Sequence, residues 1–450
     1  MKHHQTQPWI THTFLQGGKN LIVASVLLVA LALGVYVLKS GVPPAASAAR
    51  DFNGKTFRLL VVGDPFANAL KVASAELGKR SGARINIEIA GYSDVRRLIL
   101  QNAKDAQSDY DVISFDVVWA GELARDKVLS ALRLDRAAGL QPDDFLPLAM
   151  KQSRVGAYQL GLPIQPHPEL LWLRKDLLTQ AGLAAPTTTQ ELLKVAKALM
   201  RPKQGLYGLC WNGQRGQALG QQMAHFYGAF GQPLLDAAGR PALDTPRALA
   251  AARFARALLA VSPPDVLAMA WDQRTRAFAK GACAMTYEWA ARSYLAEQDP
   301  ASLVSGQVVY APAPHAAGEA PVTPLGTWSL GVPANVGSRR DDAEQFLFWL
   351  SEPEQQRLLA QTGNGGMPRL SLLNDKQLIG TYPAFPVVAQ LSQTNALSDS
   401  MRPSVPQWAA LAELLGTVFH DMLNGLLTPE AATALAQARA LQLFATPEKP

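Results

Sequence analysis

The sequence predicts an α/β protein whose mostly parallel sheet is covered by helices on both faces. Three observations support this fold class. Short apolar runs alternate with helical patterns from Asp51 onward. Several later helices begin with recognisable capping residues. The chain has 450 residues, of which 48% are hydrophobic, so it can bury a large core and should hold two or more domains.

Periodicity places the first strand–helix units. Thr56–Gly63 is an apolar run closed by Gly, Asp and Pro, and Arg84–Ala90 alternates as a strand does. Ala67–Leu77 carries apolar residues at helical spacing. Tyr110–Ser114 predicts a third strand, and Ser93 is expected to cap the helix before it.

The second part of the chain is richer in helix. Thr188 stands three residues before Glu191, which predicts a capping box. Thr245-Pro246 and Thr428-Pro429 each place a capping threonine before proline at the first helical position. Short strands are expected between the helices, at residues 207–211, 283–289, 307–312 and 328–333.

The N-terminal segment predicts export. Residues 21–38 are an unbroken apolar run that follows two lysines, and Ala46-Ser47-Ala48 offers a signal-peptidase site. Residues 1–50 are therefore predicted to be a cleaved signal peptide, with an uncleaved anchor at residues 21–38 as the alternative. Both interpretations place the rest of the chain in the periplasm. No cysteine follows the run, so a lipoprotein is not expected.

Composition and motifs argue against several function classes. The net charge of +6 is mild and the basic residues are scattered, so no nucleic-acid surface is expected. The four histidines beyond the N-terminal segment lack metal-ligand spacing, and neither a nucleophile elbow nor a phosphate-binding loop is present, so no metal or cofactor is expected. Cys210 and Cys283 are the only cysteines, and the sequence leaves open whether they pair or stay free and buried.

Six segments, in order along most of the chain after residue 50, carry a family resemblance. Among them, Arg174-Lys175-Asp176-Leu177 matches a typical R-K-D-L string, whereas Thr189 stands where tryptophan is usual. Together the segments resemble bacterial extracellular solute-binding proteins of the carbohydrate branch, the maltose-binding-protein-like family. They are Tyr110–Leu132, Gly161–Leu178, Pro186–Leu192, Phe278–Ala290, Leu325–Trp328 and residues 402–438.

The resemblance implies a two-lobed periplasmic-binding-protein fold with hinge crossings and a ligand cleft between the lobes. The first lobe is expected to comprise residues 51–163 and 290–326, and the second residues 164–289 and 327–450. Such a protein would bind a carbohydrate or polyol as a monomer and deliver it to ABC permease subunits in the inner membrane. A secreted carbohydrate-active enzyme, or a binding protein that serves a membrane sensor, stays open as an alternative.

Ligand-binding residues are expected at strand ends and crossings, because open α/β sheets bind ligands there. Sugars need aromatic faces and side-chain partners for their hydroxyls. Structural roles are the alternatives: an N-cap for one aspartate, turn or surface positions for other polar residues, and core packing for the tryptophans. Trp408 is assigned to the core, and no catalytic residue is expected. The expected ligand-binding residues are Asp64, Phe66, Asp116, Trp119, Gln165, His167, Arg215, Glu288, Trp289, Trp328 and Arg369.

Overall fold

The structure is a computed structural model that describes residues 52–445. This part of the chain is a mixed α/β fold. The predicted signal or anchor segment lies outside the described residues. Within residues 52–445, no helix combines the length and apolar character needed to cross a bilayer.

The strands alternate with helices along the first part of the described chain, as the sequence predicts. The strands are β1 (Thr56–Val62), β2 (Arg84–Ala90), β3 (Val112–Asp116), β4 (Arg154–Val155), β5 (Tyr158–Gln159), β6 (Leu162–Arg174), β7 (Tyr207–Cys210), β8 (Cys283–Trp289), β9 (Val308–Ala311), β10 (Thr323–Gly331) and β11 (Leu397–Ser398).

The helices cluster in the second part of the chain, also as predicted. They are α1 (Pro65–Ser81), α2 (Tyr92–Asn102), α3 (Ala120–Arg125), α4 (Pro147–Gln152), α5 (Lys175–Ala181), α6 (Thr189–Leu199), α7 (Gln217–Ala229), α8 (Pro246–Leu258), α9 (Trp271–Ala279), α10 (Ser293–Glu297), α11 (Arg340–Leu350), α12 (Pro353–Gln361), α13 (Leu370–Leu373), α14 (Lys376–Thr381), α15 (Phe385–Gln393), α16 (Trp408–Leu423) and α17 (Pro429–Ala445).

Most strands form one sheet in the order β2-β1-β3-β10-β6-β8-β7, with β9 and β11 paired to β6 and β10. The two outer parts are parallel: β1 pairs with β2 and β3, and β7 with β8. The centre is antiparallel, so the expected mostly parallel sheet is wrong there. The reason is that β6 and β10 cross the middle of the sheet in opposite directions, and each meets neighbours that run the other way.

Local capping signals are mostly confirmed. Thr188 and Glu191 form the capping box at α6, and the Thr245 side chain caps α8. The Ser93 cap is wrong, because α2 begins at Tyr92 and Gly91 takes the cap position. Cys210 and Cys283 are joined by a disulfide, with Cα atoms 5.8 Å apart, which links the parallel strands β7 and β8.

Two segments contact strands that lie far from them in the sequence. In α11, Phe346 stacks on Phe57 of β1 at 4.1 Å, and α12 packs on α1, so residues 340–361 lie with the first strands. In addition, β9 pairs with residues 171–174 of β6, of which residues 171–173 also pair with β8. The first half of the sheet therefore packs against residues that follow β10, whereas β9 pairs with the same central strand as β8 and, like β8, lies between β6 and β10 in the sequence.

The second half of the sheet carries closely packed helices. Helices α7 and α16 approach at glycines: a Cβ at Gly220 would overlap the Ala412 carbonyl, and one at Gly416 would overlap the Gly216 carbonyl. Trp408 in α16 is 1% exposed, as the assignment to the core predicts.

Candidate functional site

A cavity of about 340 Å³, here called the cleft cavity, lies at the carboxyl ends of β1, β2 and β3. Parallel strands of an open α/β sheet place ligands at this edge. The opposite wall comes from α7, the start of α9, the end of β8 and the segment before α16. The lining residues are Val62, Gly63, Asp64, Gly91, Tyr92, Asp116, His167, Gln221, Ala270, Trp271, Asp272, Gln273, Trp289, Arg292, Trp328 and Arg402.

Asp64 is held at the first wall by the β6 crossing. The Gln165 side chain donates from Nε2 to Asp64 Oδ2 at 3.0 Å and accepts from the backbone N–H of Phe66 at 2.9 Å. Phe66 is fully buried, and neither Phe66 nor Gln165 lines the cavity. Of these three predicted residues, Asp64 lines the cavity and the other two position its loop.

Asp116, at the end of β3, connects the two walls. It accepts hydrogen bonds from the Tyr92 hydroxyl at 3.1 Å and from Arg402 Nη2 at 2.8 Å. Its Oδ1 also accepts from the backbone N–H of Val118 at 3.5 Å, so the side chain caps the next turn as well. Burial, followed by the Asp116 charge, raises the pKa of Tyr92 well above its usual value, which keeps the phenol neutral as a donor.

A second arginine joins the walls on the other side. Arg292 contacts Asp272 at 2.7 Å and lies 3.4 Å from Asp64. Burial disfavours its charged form, but the carboxylates of Asp64, Glu288 and Asp272 outweigh burial and raise the pKa of Arg292. This arginine therefore stays a fixed positive charge between two aspartates.

Tryptophans supply most of the aromatic lining. Trp289 ends β8, and Trp328 in β10 pairs in register with Asp116 of β3. Trp119 does not line the cavity but lies behind Trp328, with ring centroids 5.6 Å apart. Trp271, which opens α9, reaches Tyr92 from the opposite wall at 5.7 Å. The cavity thus offers aromatic faces on both walls.

His167 forms part of the floor. Its Nδ1 lies 2.6 Å from the Gln165 carbonyl oxygen, and its ring meets Trp289 edge-on at 5.0 Å. A Cβ at Gly326 would lie 2.6 Å from His167 Nε2, so only glycine leaves space for the imidazole. Burial and the neighbouring Arg402 charge lower the pKa of His167 to about 4, so the ring is neutral at pH 7.

Glu288 lies behind the cavity in a buried charge cluster with Arg274, Glu169 and His225. Arg274 donates to Glu288 at 3.0 and 3.1 Å and to Glu169 at 2.7 Å, and all three side chains are buried. His225 Nδ1 lies 2.6 Å from the second Glu169 oxygen. Burial alone would raise the pKa of Glu169, but Arg274 and His225 lower it to about 2. Glu288 thus supports the strand that carries Trp289.

Two predicted residues lie away from the cleft cavity. Arg215 is ion-paired with Asp421 and half exposed. Arg369 is fully buried, lies 3.8 Å above the Phe145 ring and donates to backbone carbonyl oxygens. Both side chains are committed to contacts within the protein.

A family model described as bacterial extracellular solute-binding protein matches residues 63–357. The chain belongs to this family. It is a family of binding proteins that act outside the cytoplasm.

Relatives and solved structures extend the match. A mannitol-binding protein of Pseudomonas aeruginosa is 26% identical over 314 residues, 66% of this chain and 71% of its own length. A ribitol-bound ABC transporter solute-binding protein of Agrobacterium radiobacter is 28% identical with a TM-score of 0.82, over 88% of this chain and all of that one. The two-lobed fold is shared with maltose-bound MalE3 of T. maritima, which is 24% identical with a TM-score of 0.78, over 86% of this chain and 99% of that one.

Sequence reasoning missed several lining residues of this solute-binding protein. Tyr92 follows β2, so the strand-end rule that found Asp64 would also have found it. Trp271 and Asp272 open α9 as an aromatic–acidic pair, a signal that was available. Gln221, Gln273, Arg292 and Arg402 gave no such local signal.

Among residues 52–445, no group of three or more His, Cys, Asp or Glu side chains could hold a metal ion.

We expect the solute-binding protein to lose stability as the pH falls from about 6.5 to about 4 because of His167. In this window the unfolded chain binds a proton at His167 and the folded protein does not, so acid favours unfolding. The loss from this residue should approach about 3 kcal/mol, at about 1.4 kcal/mol per pKa unit. Urea unfolding at several pH values should show a shallower pH slope for His167→Gln; an unchanged slope would contradict the prediction.

Proposed function

We propose that this chain is the extracytoplasmic substrate-binding component of an ABC importer. Its ligand would be a neutral polyol or small carbohydrate held in the cleft cavity. The observation that carries the proposal is the combination of aromatic faces with aspartate and arginine side chains at the carboxyl edge of the sheet. Ligand hydroxyls need such partners, because a buried hydroxyl without one costs about 1–3 kcal/mol.

The relatives support the same ligand class. The mannitol-binding relative and the ribitol-bound structure both concern open-chain polyols. The ribitol-bound protein is matched over its full length, so both walls of a cleft have counterparts in this chain.

The charges that line the cavity favour an uncharged ligand. Three aspartates, Asp64, Asp116 and Asp272, face two arginines, Arg292 and Arg402, and His167 is neutral at pH 7. An anionic sugar acid would therefore enter a cavity with a net negative charge, which is unfavourable where water is excluded.

The same carboxylates do not suit hydrolysis. Asp116 contacts Arg402, and Asp64 and Asp272 contact Arg292. A glycosidase needs a protonated carboxylic acid beside the scissile bond. All three carboxylates are already held by arginine contacts, so we propose that they accept hydrogen bonds from ligand hydroxyls and that the chain binds its ligand without chemistry.

We further propose how the lobes are divided. The first lobe would contain β1 to β3 with α11 to α15, and the second β7 to β9 with α6 to α9, α16 and α17. Contacts support this: α12 packs on α1, and α16 packs on α7. The central strands β6 and β10 would carry the crossings, and ligand contact with both walls would favour the closed form.

The remaining roles follow from the importer proposal. Residues 1–50 would direct export without lipidation, through a cleaved signal peptide, and the monomer would deliver ligand to permease subunits in the inner membrane. Protein recovered from the native host should then begin near Ala49 by mass spectrometry.

A thermal-shift screen followed by calorimetry tests the ligand class. We expect ribitol, D-mannitol or a monosaccharide to raise the melting temperature of the mature protein, since a ligand at 100 times its Kd stabilises by about 2.7 kcal/mol. Gluconate, an anion of similar length, should bind at least about tenfold more weakly than the best neutral ligand, or about 1.4 kcal/mol. If no neutral polyol or sugar binds, or if a bound saccharide is hydrolysed, the proposed function is wrong.

A further inference from the structure

The cleft cavity shares one wall with a second cavity of about 420 Å³. Arg402 is the single residue that lines both, and Val117 of the second cavity directly follows Asp116 of the first. The second cavity has no aromatic lining, and several of its lining side chains are charged or carry a hydroxyl group. Its lining residues are Val117, Lys151, Gln152, Arg154, Gly156, Asp399, Ser400, Arg402, Pro403 and Ser404.

Arg402 is fixed in place from both sides. Its Nη2 donates to both Asp116 oxygens, at 2.8 and 3.0 Å, and its Nη1 donates to the Gln221 side chain. Its guanidinium carbon lies 5.2 Å from the Trp289 ring centre, and the residue is 5% exposed. A planar guanidinium paired in this way holds one orientation, so Arg402 forms a rigid partition.

The backbone that carries Arg402 is also anchored. The Arg402 N–H donates to the Asp399 carbonyl oxygen at 2.9 Å, and Asp399 pairs with Lys151 at 3.0 Å. On the other side, Ser404 Oγ accepts from the Gly121 N–H at 3.1 Å, and a Cβ at Gly121 would lie 2.6 Å from the Ser404 carbonyl oxygen. The partition therefore stands on a fixed segment.

The size of the cleft cavity limits what lies on its side of the partition. A volume of about 340 Å³ lies near the lower end of the range for small-molecule pockets, about 300–1,000 Å³. An open-chain polyol of five or six carbons is a ligand of the size expected at that end. A glucosylated polyol has about twice as many non-hydrogen atoms, and the Arg402 side chain stands between the cleft cavity and the second cavity, where its second unit could lie.

We propose that Arg402 sets the maximum ligand length and restricts this protein to single-unit polyols and monosaccharides. Removal of its side chain would join the two cavities. The second cavity could then receive a glycosyl unit, whose hydroxyls would meet Ser400, Ser404 and the Lys151–Asp399 pair. This inference rests on the proposed function and names a residue that selects among its ligands.

Calorimetry with wild-type protein, Arg402→Ala and Arg402→Lys tests the inference. The probes are D-mannitol, ribitol and glucose as short ligands and maltitol and maltose as long ones. We expect the wild type to bind at least one short ligand and neither long one. In Arg402→Ala the ratio of long-ligand to short-ligand affinity should rise at least about a hundredfold, whereas Arg402→Lys, which keeps a long cationic side chain, should still reject the long ligands.

The control is Arg154→Ala, which alters the second cavity but leaves the contacts of Arg402 and its segment in place, and should bind short ligands as the wild type does. Because Arg402→Ala leaves Asp116 without its cation, circular dichroism should verify that this variant folds. If Arg402→Ala unfolds, the double variant Arg402→Ala/Asp116→Asn replaces it. Two outcomes overturn this inference but leave the proposed function standing. One is that the folded variant without the Arg402 side chain gains no binding of the long ligands, and the other is that the wild type binds maltitol. If the wild type binds no ligand of either length, the proposed function fails instead.

Discussion

Loss of the Arg274 side chain is expected to destabilise the protein by about 3–5 kcal/mol, because it leaves two buried carboxylates without their cation. Arg274 is fully buried and contacts both Glu169 and Glu288. Arg274→Met keeps most of the side-chain volume, so the effect should come from charge. Urea unfolding at pH 7 measures the change in the free energy of unfolding.

The matched control for this variant is Arg253→Met, which removes an exposed pair with Glu430. Surface pairs contribute about 0–1 kcal/mol, so this variant should unfold nearly as the wild type does. Adding Glu169→Gln and Glu288→Gln to Arg274→Met should restore part of the lost stability. Equal effects of the two single variants would contradict the account of the buried cluster.

Trp289→Ala should weaken binding of the best ligand from the screen by at least about tenfold, or about 1.4 kcal/mol. Trp289 lines the cleft cavity between His167 and Arg402, a central position where aromatic residues often dominate binding energy. Trp328→Ala should act in the same direction, since this ring lines the cavity beside Asp116. Calorimetry below the melting temperature of each variant measures the loss.

Trp408→Ala is the control for these variants. It removes a tryptophan that is also buried but lies outside the cavity lining. This variant should lose stability, by about 3–5 kcal/mol as for other buried aromatic truncations, but keep the wild-type Kd. Wild-type affinity in Trp289→Ala and Trp328→Ala would show that these rings serve only the core.

Local chemistry explains which parts of this protein the sequence could predict. The capping box of Thr188 and Glu191 and the apolar run at β1 depend on neighbours in the chain, and both were predicted. Asp64 and Asp116 were found because a strand end can be recognised from the sequence. Arg402 was missed because its partners, Asp116 and Gln221, are brought to it only by the fold.

The packing of α11 on β1 could not be predicted for the same reason. Its apolar residues indicate burial but do not identify the surface that buries them. The contact between Phe346 and Phe57 joins distant parts of the chain. Likewise, a buried parallel strand and a central antiparallel strand have the same short apolar pattern in the sequence. The direction of β10 could therefore not be predicted from its residues.

The position of β10 in the sheet has a consequence for how the chain is made. Phe115 of β3 pairs with Ser329 of β10, and β10 separates β3 from β6, although β3 and β6 are much closer in sequence. During synthesis the first strands cannot complete their hydrogen bonding until the chain beyond residue 331 has emerged. Such non-local pairing slows folding. The nascent protein therefore spends most of its synthesis without a finished sheet.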